Sequence, residues 1–494
     1  MLSESEQNQE PDLKMQENGG PAPAAHPGPS PSASPGFFRE VLDVMRGNER
    51  DFTTGSITKA AILLSIPMVL EMVMESIFAV VDIFFVARLG AEAVATVGIT
   101  EAMITVIYAL AMGLAIATTA LVARRTGEKN PAEASRTAAQ AILVGVLLSL
   151  PFSFIGLFYA PELLGLMGAS ETITGAMSSY TTILLAGNGI IMLLFVINAV
   201  FRGAGDAGMA MKVLIFANVM NIVLDPLLIF GIGPFPELGI AGAAWATTIG
   251  RGLGVVYQFW LLSGRSKRIG LTWVNLVPDF SLIRKIMRIT LGGVGQYMIA
   301  MLSWVFLMRI MAEFGSEVLA GYTIAIRVVM FTLLPAWGIS NAAATLVGQN
   351  LGAQQPDRAE RSVWITSGIN TFFMILVGVT FFFQAGPIME LFTKEAAVVA
   401  AGATCLRIIC FGYIFYGVGM VMSQSFNGAG DTTTPTLLNF VCFWLIEIPL
   451  AYALAFTFGM NEEGVFYAIV IAESLLGLFG VILFKRGRWK ENVV

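Results

Sequence analysis

Charge, histidine and cysteine are all scarce in this 494-residue chain. Asp, Glu, Lys and Arg make up 13% of it, with one histidine and three cysteines; an average soluble domain is nearer a quarter charged. His26 stands in a polar N-terminal stretch, so a histidine proton relay and a zinc site are excluded by inventory. Cys405, Cys410 and Cys442 fall in apolar runs, with neither metal-ligand spacing nor a disulfide framework. The net charge of −5 is already present in residues 1–52, and the remainder carries 25 charges of each sign. The basic footprint of a nucleic-acid binder is therefore missing. No GK[ST] phosphate loop points to ATP, and no cluster of nucleophile, histidine or metal ligands points to an enzyme or a cofactor. What fills the chain is apolar: 56% hydrophobic residues and a mean hydropathy of +0.75. The natural solvent for such a sequence is lipid.

Residues 1–36 are polar and then Pro/Ala/Ser-rich, the composition of a disordered tail, and lack the apolar core of a signal peptide. Residues 37–46 place Phe38, Val41, Leu42 and Met45 on one helical face, which fits a short interfacial helix or a helical linker. Twelve hydrophobic segments of spanning length follow, near 60–86, 93–122, 138–159, 173–200, 211–232, 240–263, 286–311, 318–348, 362–384, 397–424, 434–458 and 464–484. If both termini face the cytoplasm, 23 of the 29 Lys and Arg residues fall on that side. The positive-inside rule thus predicts an even number of crossings. The expected layout is a tail and short helix (1–52), an N-terminal lobe of six helices (53–264), a linker (265–284), a C-terminal lobe of six (285–484) and a basic cytoplasmic tail (485–494).

The two halves repeat one another. LVARRTGEKNPAEASR (121–136) resembles LVGQNLGAQQPDRAER (346–361), and FRGAGD (201–206) resembles FNGAGD (426–431), both at an offset of 225. Six spans per repeat return the chain to its starting side, so the halves share one orientation. They should be related by a pseudo-two-fold axis along the membrane normal. Two like bundles can rock about a central cavity and give alternating access. In FRGAGD and FNGAGD no strand precedes the glycines, so tight turns are expected there, with Asp206 and Asp431 capping the next helices.

Ionisable residues at mid-bilayer cost roughly 2.5–3.5 kcal/mol each on insertion scales. The first span carries Glu71, Glu75 and Asp82 within about 40° of one another around the helix. Such a stripe should line water or a cation path, although Glu71 and Glu75 can instead pair with Arg or backbone donors. In the fifth span Asn218, Asn221 and Asp225 share a face, and Pro226 frees nearby backbone carbonyls. Oxygen ligands of this kind suit Na⁺, and the same carboxylates can take a proton; Asn218 and Asn221 can also be interhelical hydrogen-bonding glue. At the 225 offset Glu71, Glu75 and Asp82 become Gln296, Ala300 and Leu307, so the second half has lost this chemistry. Glu447, before Pro449, is either a packing partner or a substrate contact. Arg251, Arg327 and Arg407, inside spans, are expected to form ion pairs between helices.

In order along residues 55–485, VVDIFFVARLG (80–90), FRGAGD, NIVLDPLLIFG (221–231), LVGQNLGAQQPDRAE (346–360), FNGAGD and WLIEIPLAY (444–452) resemble the multidrug and toxic compound extrusion (MATE) family. The resemblance implies an antiporter of the inner (plasma) membrane that exports amphipathic, often cationic, small organic compounds in exchange for Na⁺ or H⁺. The pattern is most similar to the DinF-like branch. This implies a coupling site of Asp82, Asn198, Asn221, Asp225 and Thr247 (Thr248 being the alternative), with Na⁺ at the first four, and a hinge at Pro67. Gln296 stands where another branch carries a seventh-span glutamate. Glu71, Glu75, Asn218, Gln296 and Glu447 are candidates for a cavity or proton path. A monomer in the lipid bilayer is expected, and the coupling ion is the one inorganic partner. A flippase or exporter of a lipid-linked or anionic metabolite on the same plan is the alternative, favoured if arginines rather than acids dominate the cavity.

Overall fold

The computed structural model describes residues 37–47, 50–264 and 269–492. The tail 1–36 with His26, and Arg265, Lys267 and Arg268 of the linker, lie outside the described residues. A short helix, α1 (Phe37–Met45), precedes an N-terminal bundle of α2 (Ile57–Val86), α3 (Ala91–Gly127), α4 (Pro131–Leu166), α5 (Ser178–Ala186), α6 (Asn188–Gly203), α7 (Ala207–Phe230) and α8 (Ile240–Gly264). The fourth crossing runs through α5 and α6, joined at Gly187. The C-terminal bundle holds α9 (Phe280–Met311), α10 (Ser316–Gly352), α11 (Pro356–Glu390), α12 (Ala396–Ile409), α13 (Tyr413–Gly428), α14 (Thr433–Asn439), α15 (Ile448–Tyr452) and α16 (Asn461–Lys485). Here α12 and α13 form one crossing; α14 and α15 form another, joined by a π-helical stretch, Phe440–Glu447. Ten crossings are long and apolar enough to span a bilayer on their own terms. With α2 and α8 they make twelve transmembrane helices in two six-helix bundles.

The bundles wear their apolar residues outward. Leu147, Leu150, Phe154 and Phe158 of α4 are exposed along one face, a surface that water would reject and acyl chains accept. Polar side chains such as Gln140, Asn188, Gln258 and Asn370 are turned in, and the helical ladder satisfies most of the backbone.

The repeat extends to backbone detail. Gly90 and Gly315, which start the second helix of each bundle, have φ of 105° and 97°; Gly205 and Gly430 in the two GAGD turns have 84° and 80°. These left-handed conformations are open to glycine at little cost. Even the non-glycine exceptions match, Lys129 at 56° and Gln354 at 57°. As expected, Asp206 accepts from the Met209 amide and Asp431 from the Thr434 amide.

The bundles meet by crossing over. Helix α3 packs on α9, and α10 on α2, and glycine permits each approach. A Cβ on Gly113 would lie 2.8 Å from the Val294 amide nitrogen, and one on Gly338 would lie 2.8 Å from that of Val69. These two contacts are the same contact at the 225 offset. Nearer the chain termini, Gly127 touches Gln349 and Gly352 touches Arg124, again a symmetry pair. Gln349 donates to the Gly203 carbonyl at 3.0 Å and Thr345 to that of Arg202 at 3.2 Å. These seals lie toward the end of the molecule that carries α1 and residues 488–492, here called the basic end.

That end is also laced by the terminal segments. Arg358 of α11 donates to the carbonyls of Phe52, Thr54 and Gly55, and Arg124 of α3 donates to that of Asn492. Each terminal segment is thereby held by the opposite bundle.

Candidate functional site

The three acids of α2 do share a face, and it is turned into the N-terminal bundle. The structure distributes their partners over three levels, counted from the basic end.

At the first level Glu71, 2% exposed, takes the Arg202 guanidinium at 2.7 Å and the Asn198 amide at 3.3 Å. Gln258 of α8 donates to the Asn198 carbonyl oxygen at 2.8 Å. Arg202, read from sequence as part of a cytoplasmic turn, is instead buried, on the last turn of α6. The signal for it was present: Asn198 and Arg202 are four residues apart, one above the other on a helix. Asn198 thus sits with Glu71, Arg202 and Gln258. No hydrogen bond ties it to Asp82 or Asp225 among the described residues, which departs from the four-residue Na⁺ set expected from sequence.

At the second level Arg251 of α8 bonds Glu75 at 3.0 Å and the Tyr108 hydroxyl at 3.0 Å, and covers the Phe78 ring at 5.0 Å. Asn218 donates to Glu75 at 3.4 Å and to the Met74 carbonyl at 3.2 Å. Tyr108 and Phe78 were not singled out by sequence, because an aromatic in an apolar run carries no polar signal. Arg251 forms the ion pair expected of it. Arg327 and Arg407 make no ion pair among the described residues; both are exposed, and Arg327 lies near enough to Glu101 to attract its carboxylate.

The third level holds Asp82, Asn221, Asp225 and Thr247. Asp225 is fully buried. The Asn221 amide, oriented as its neighbours demand, donates to Asp225 Oδ2 at 3.1 Å, and its carbonyl accepts the Thr247 hydroxyl at 3.1 Å and the Thr247 backbone N–H at 3.0 Å. Of the two threonines, Thr247 therefore joins the cluster, while Thr248 faces Gly187. Local sequence explains the geometry. Asn221 and Asp225 are four residues apart on α7, and Gly250 lets α8 close on that face, since a Cβ there would lie 2.9 Å from the Asn221 amide nitrogen. Asp82 stands close enough to Asp225 and Glu101 for the carboxylates to repel, and feels the Arg251 guanidinium of the level before without bonding it. Its Oδ1 is buried with no hydrogen-bond partner among the described residues. A buried carboxylate oxygen left unmatched beside a second carboxylate is a place to bind a cation.

Pro67 is buried in α2, which continues through it; the ring withholds a hydrogen bond from the Leu63 carbonyl. Gln296 and Glu447 lie in the other bundle. Gln296 exchanges amide hydrogen bonds with Asn427 at 3.0 and 3.2 Å, and Glu447 accepts from Ser303 at 2.8 Å.

Twelve helices in two like bundles, with an ion-paired polar seam enclosed in one of them, define a polytopic membrane transporter. The family model MatE matches residues 67–227 and 291–453, two stretches that reproduce the internal repeat to within one residue, and the chain belongs to the MatE family. It is 26% identical over 451 residues to a probable multidrug resistance protein NorM of Thermotoga maritima, covering 89% of this chain and 94% of that one. It is 25% identical over 409 residues to an FAD transporter of Shewanella oneidensis, covering 83% and 90%. A solved structure described as the outward-facing conformation of a multidrug resistance MATE family transporter of the MOP superfamily superposes with a TM-score of 0.83 at 26% identity, over 89% of this chain and 97% of that one.

Proposed function

We propose that the chain is a DinF-like antiporter of the plasma membrane, acting as a monomer with both termini cytoplasmic. It exports amphipathic organic cations in exchange for H⁺ or Na⁺. The observation that carries this reading is the unmatched Asp82 carboxylate beside the fully buried Asp225. The six-helix lobes 53–264 and 285–484 move against each other. Their described contacts gather at the basic end, so this conformation opens away from the cytoplasm. A proton at Asp82 or Asp225, or a Na⁺ held by these carboxylates with the Thr247 hydroxyl, removes the repulsion between them. Helix α2 then yields near Pro67, and cargo is expelled. Glu71 and Glu75 are ion-paired to Arg202 and Arg251, although Glu71 Oε2 is left without a hydrogen bond among the described residues, and they hold the helices rather than exchange ions. Exchange of one monovalent organic cation for one H⁺ or Na⁺ moves no net charge, so the ion's concentration gradient drives the export, and a tenfold gradient is worth about 1.4 kcal/mol.

A second reading, export of an anionic metabolite, draws support from Arg407, exposed without an ion-pair partner among the described residues, and from the relative named FAD transporter. One experiment addresses both. Proteoliposomes containing the full chain are loaded with ethidium or with FAD, and Na⁺ and pH gradients are imposed separately. The first reading expects ethidium efflux driven by one of the two gradients. Gradient-driven FAD efflux with inert ethidium would replace it with the second.

A further inference from the structure

We propose that the C-terminal bundle carries a subsite for the ammonium group of an organic cation, in the cavity where Glu447, Glu473, Tyr322 and Tyr413 converge. The inference rests on the efflux reading and adds where the cargo's charge is held. The cavity has a volume of about 180 Å³ and is walled by α9, α10, α12, α13, α16 and the π-helical stretch. Its lining contains two carboxylates and no Lys or Arg.

Glu447 is 4% exposed and has one hydrogen bond, from Ser303. It closes the π-helical stretch Phe440–Glu447, an irregularity that recurs at functional sites. Glu473 takes no hydrogen bond among the described residues and lies near enough to Glu447 for the two to repel. The Tyr322 and Tyr413 side chains are buried, at 0% and 2% exposure; neither hydroxyl makes a well-formed hydrogen bond among the described residues, and the nearest acceptor to Tyr413 is the Thr332 hydroxyl. The indole N–H of Trp304, beside Tyr322, can only donate, so the Tyr322 proton has no acceptor there. In the N-terminal bundle each buried glutamate of α2 has an arginine. Here no protein cation answers the two carboxylates, and leaving them with a single hydrogen bond between them, beside a Tyr322 hydroxyl that finds no acceptor, is costly.

The wall decides what kind of cation fits. A bare Na⁺ asks for oxygen ligands on several sides. Besides its carboxylates and hydroxyls, this cavity is lined by Trp304, Tyr416 and Phe443, rings of the kind that attract organic ammonium groups through their π faces. The volume suits an ammonium group bearing a small ring. The rest of an amphipathic molecule would leave past Trp304 and Met330, which are 36% and 50% exposed. They lie on α9 and α10, the helices that meet the other bundle, and Met330 is a side chain that adapts to varied shapes.

The test is equilibrium dialysis of radiolabelled benzyltrimethylammonium against the full chain in nanodiscs, with neopentylbenzene, its neutral isostere, as competitor. Glu473→Gln and Glu447→Gln are each expected to weaken binding about tenfold, and neopentylbenzene to compete poorly. Met330→Trp, which narrows the mouth without touching the acids, is expected to weaken binding at an unchanged thermal midpoint. Tyr322→Phe keeps the packing and should lower affinity severalfold. Wild-type affinity in both glutamine variants, or loss of binding confined to Asp82→Asn, overturns the subsite. Failure of the coupling reading looks different: benzyltrimethylammonium still binds and still depends on Glu473, but wild-type efflux ignores both ion gradients.

Discussion

In the N-terminal bundle Glu71 faces Arg202; at the same two places of the repeat, Gln296 faces Asn427 in the C-terminal bundle. The first contact is an ion pair at 2.7 Å, the second a reciprocal amide pair at 3.0 and 3.2 Å. Both tie the first crossing of a bundle to its fourth. The backbone and the position of the tie are repeated, and the charge is not. A neutral pair is therefore enough to join these helices, and the ionic version needs another reason. Two levels further from the basic end the contrast sharpens: Asp82 corresponds to Leu307 at the 225 offset, and where Asp225 precedes Pro226 it is Ile448 that precedes Pro449. One bundle concentrates charge along a single face of α2 and α7. The other keeps the architecture and moves its acids to Glu447 and Glu473.

Four experiments press on this contrast. The largest effect on stability is expected from Arg202→Asn alone, which leaves a buried glutamate unpaired and should cost about 3–5 kcal/mol. Thermal unfolding in nanodiscs measures it. Adding Glu71→Gln recreates the pair of the other bundle and should restore most of the loss; a double variant no better than the single one would mean that the two bundles tolerate different ties. The reverse exchange, Gln296→Glu with Asn427→Arg, should be close to neutral, within about 1–2 kcal/mol, because a buried ion pair gains little over a well-made neutral contact. Gly250→Ala drives a methyl against the Asn221 backbone and should cost about 1–3 kcal/mol. Gly252→Ala, whose Cβ would meet Ile190 at an ordinary 3.6 Å, should be silent in the same assay. The smallest effect concerns α1. The hydrogen bond from Lys59, with help from Arg50, holds the Glu40 carboxyl below its usual 4.5. The depressed value means that its contribution is present above pH 4.5 and fades as pH falls through the lower, folded value. Hydrogen exchange in α1 should therefore rise only under strong acid, and Glu40→Gln should remove that step.

Much of this molecule was legible in its sequence because membrane helices and internal duplication leave coarse signals. Twelve apolar spans, the 225-residue offset and the capping roles of Asp206 and Asp431 all follow from period and spacing. The stripe on α2 was readable for the same reason, and so was the need for a partner to Arg251. The pairing itself was less visible. Arg202 sat in a motif that reads as a turn, so its charge was credited to the membrane surface rather than to Glu71. Asn198 was placed with the aspartates by resemblance, whereas its depth on α6 puts it a full level away. Gln258 and Tyr108 gave no warning, since which faces of α3, α6 and α8 converge depends on packing between helices distant in sequence. Arg407 shows the opposite error: an arginine in a span need not find an acid when it can reach an exposed surface.

The central claim is that Asp82 and Asp225 convert an ion gradient into export. Purified full-length protein in proteoliposomes, with ethidium accumulation followed under an imposed Na⁺ or pH gradient, tests it most directly. The account predicts that Asp82→Asn and Asp225→Asn, folded by their thermal midpoints, each fail to build an ethidium gradient under either ion. Accumulation at the wild-type level in both variants would contradict it.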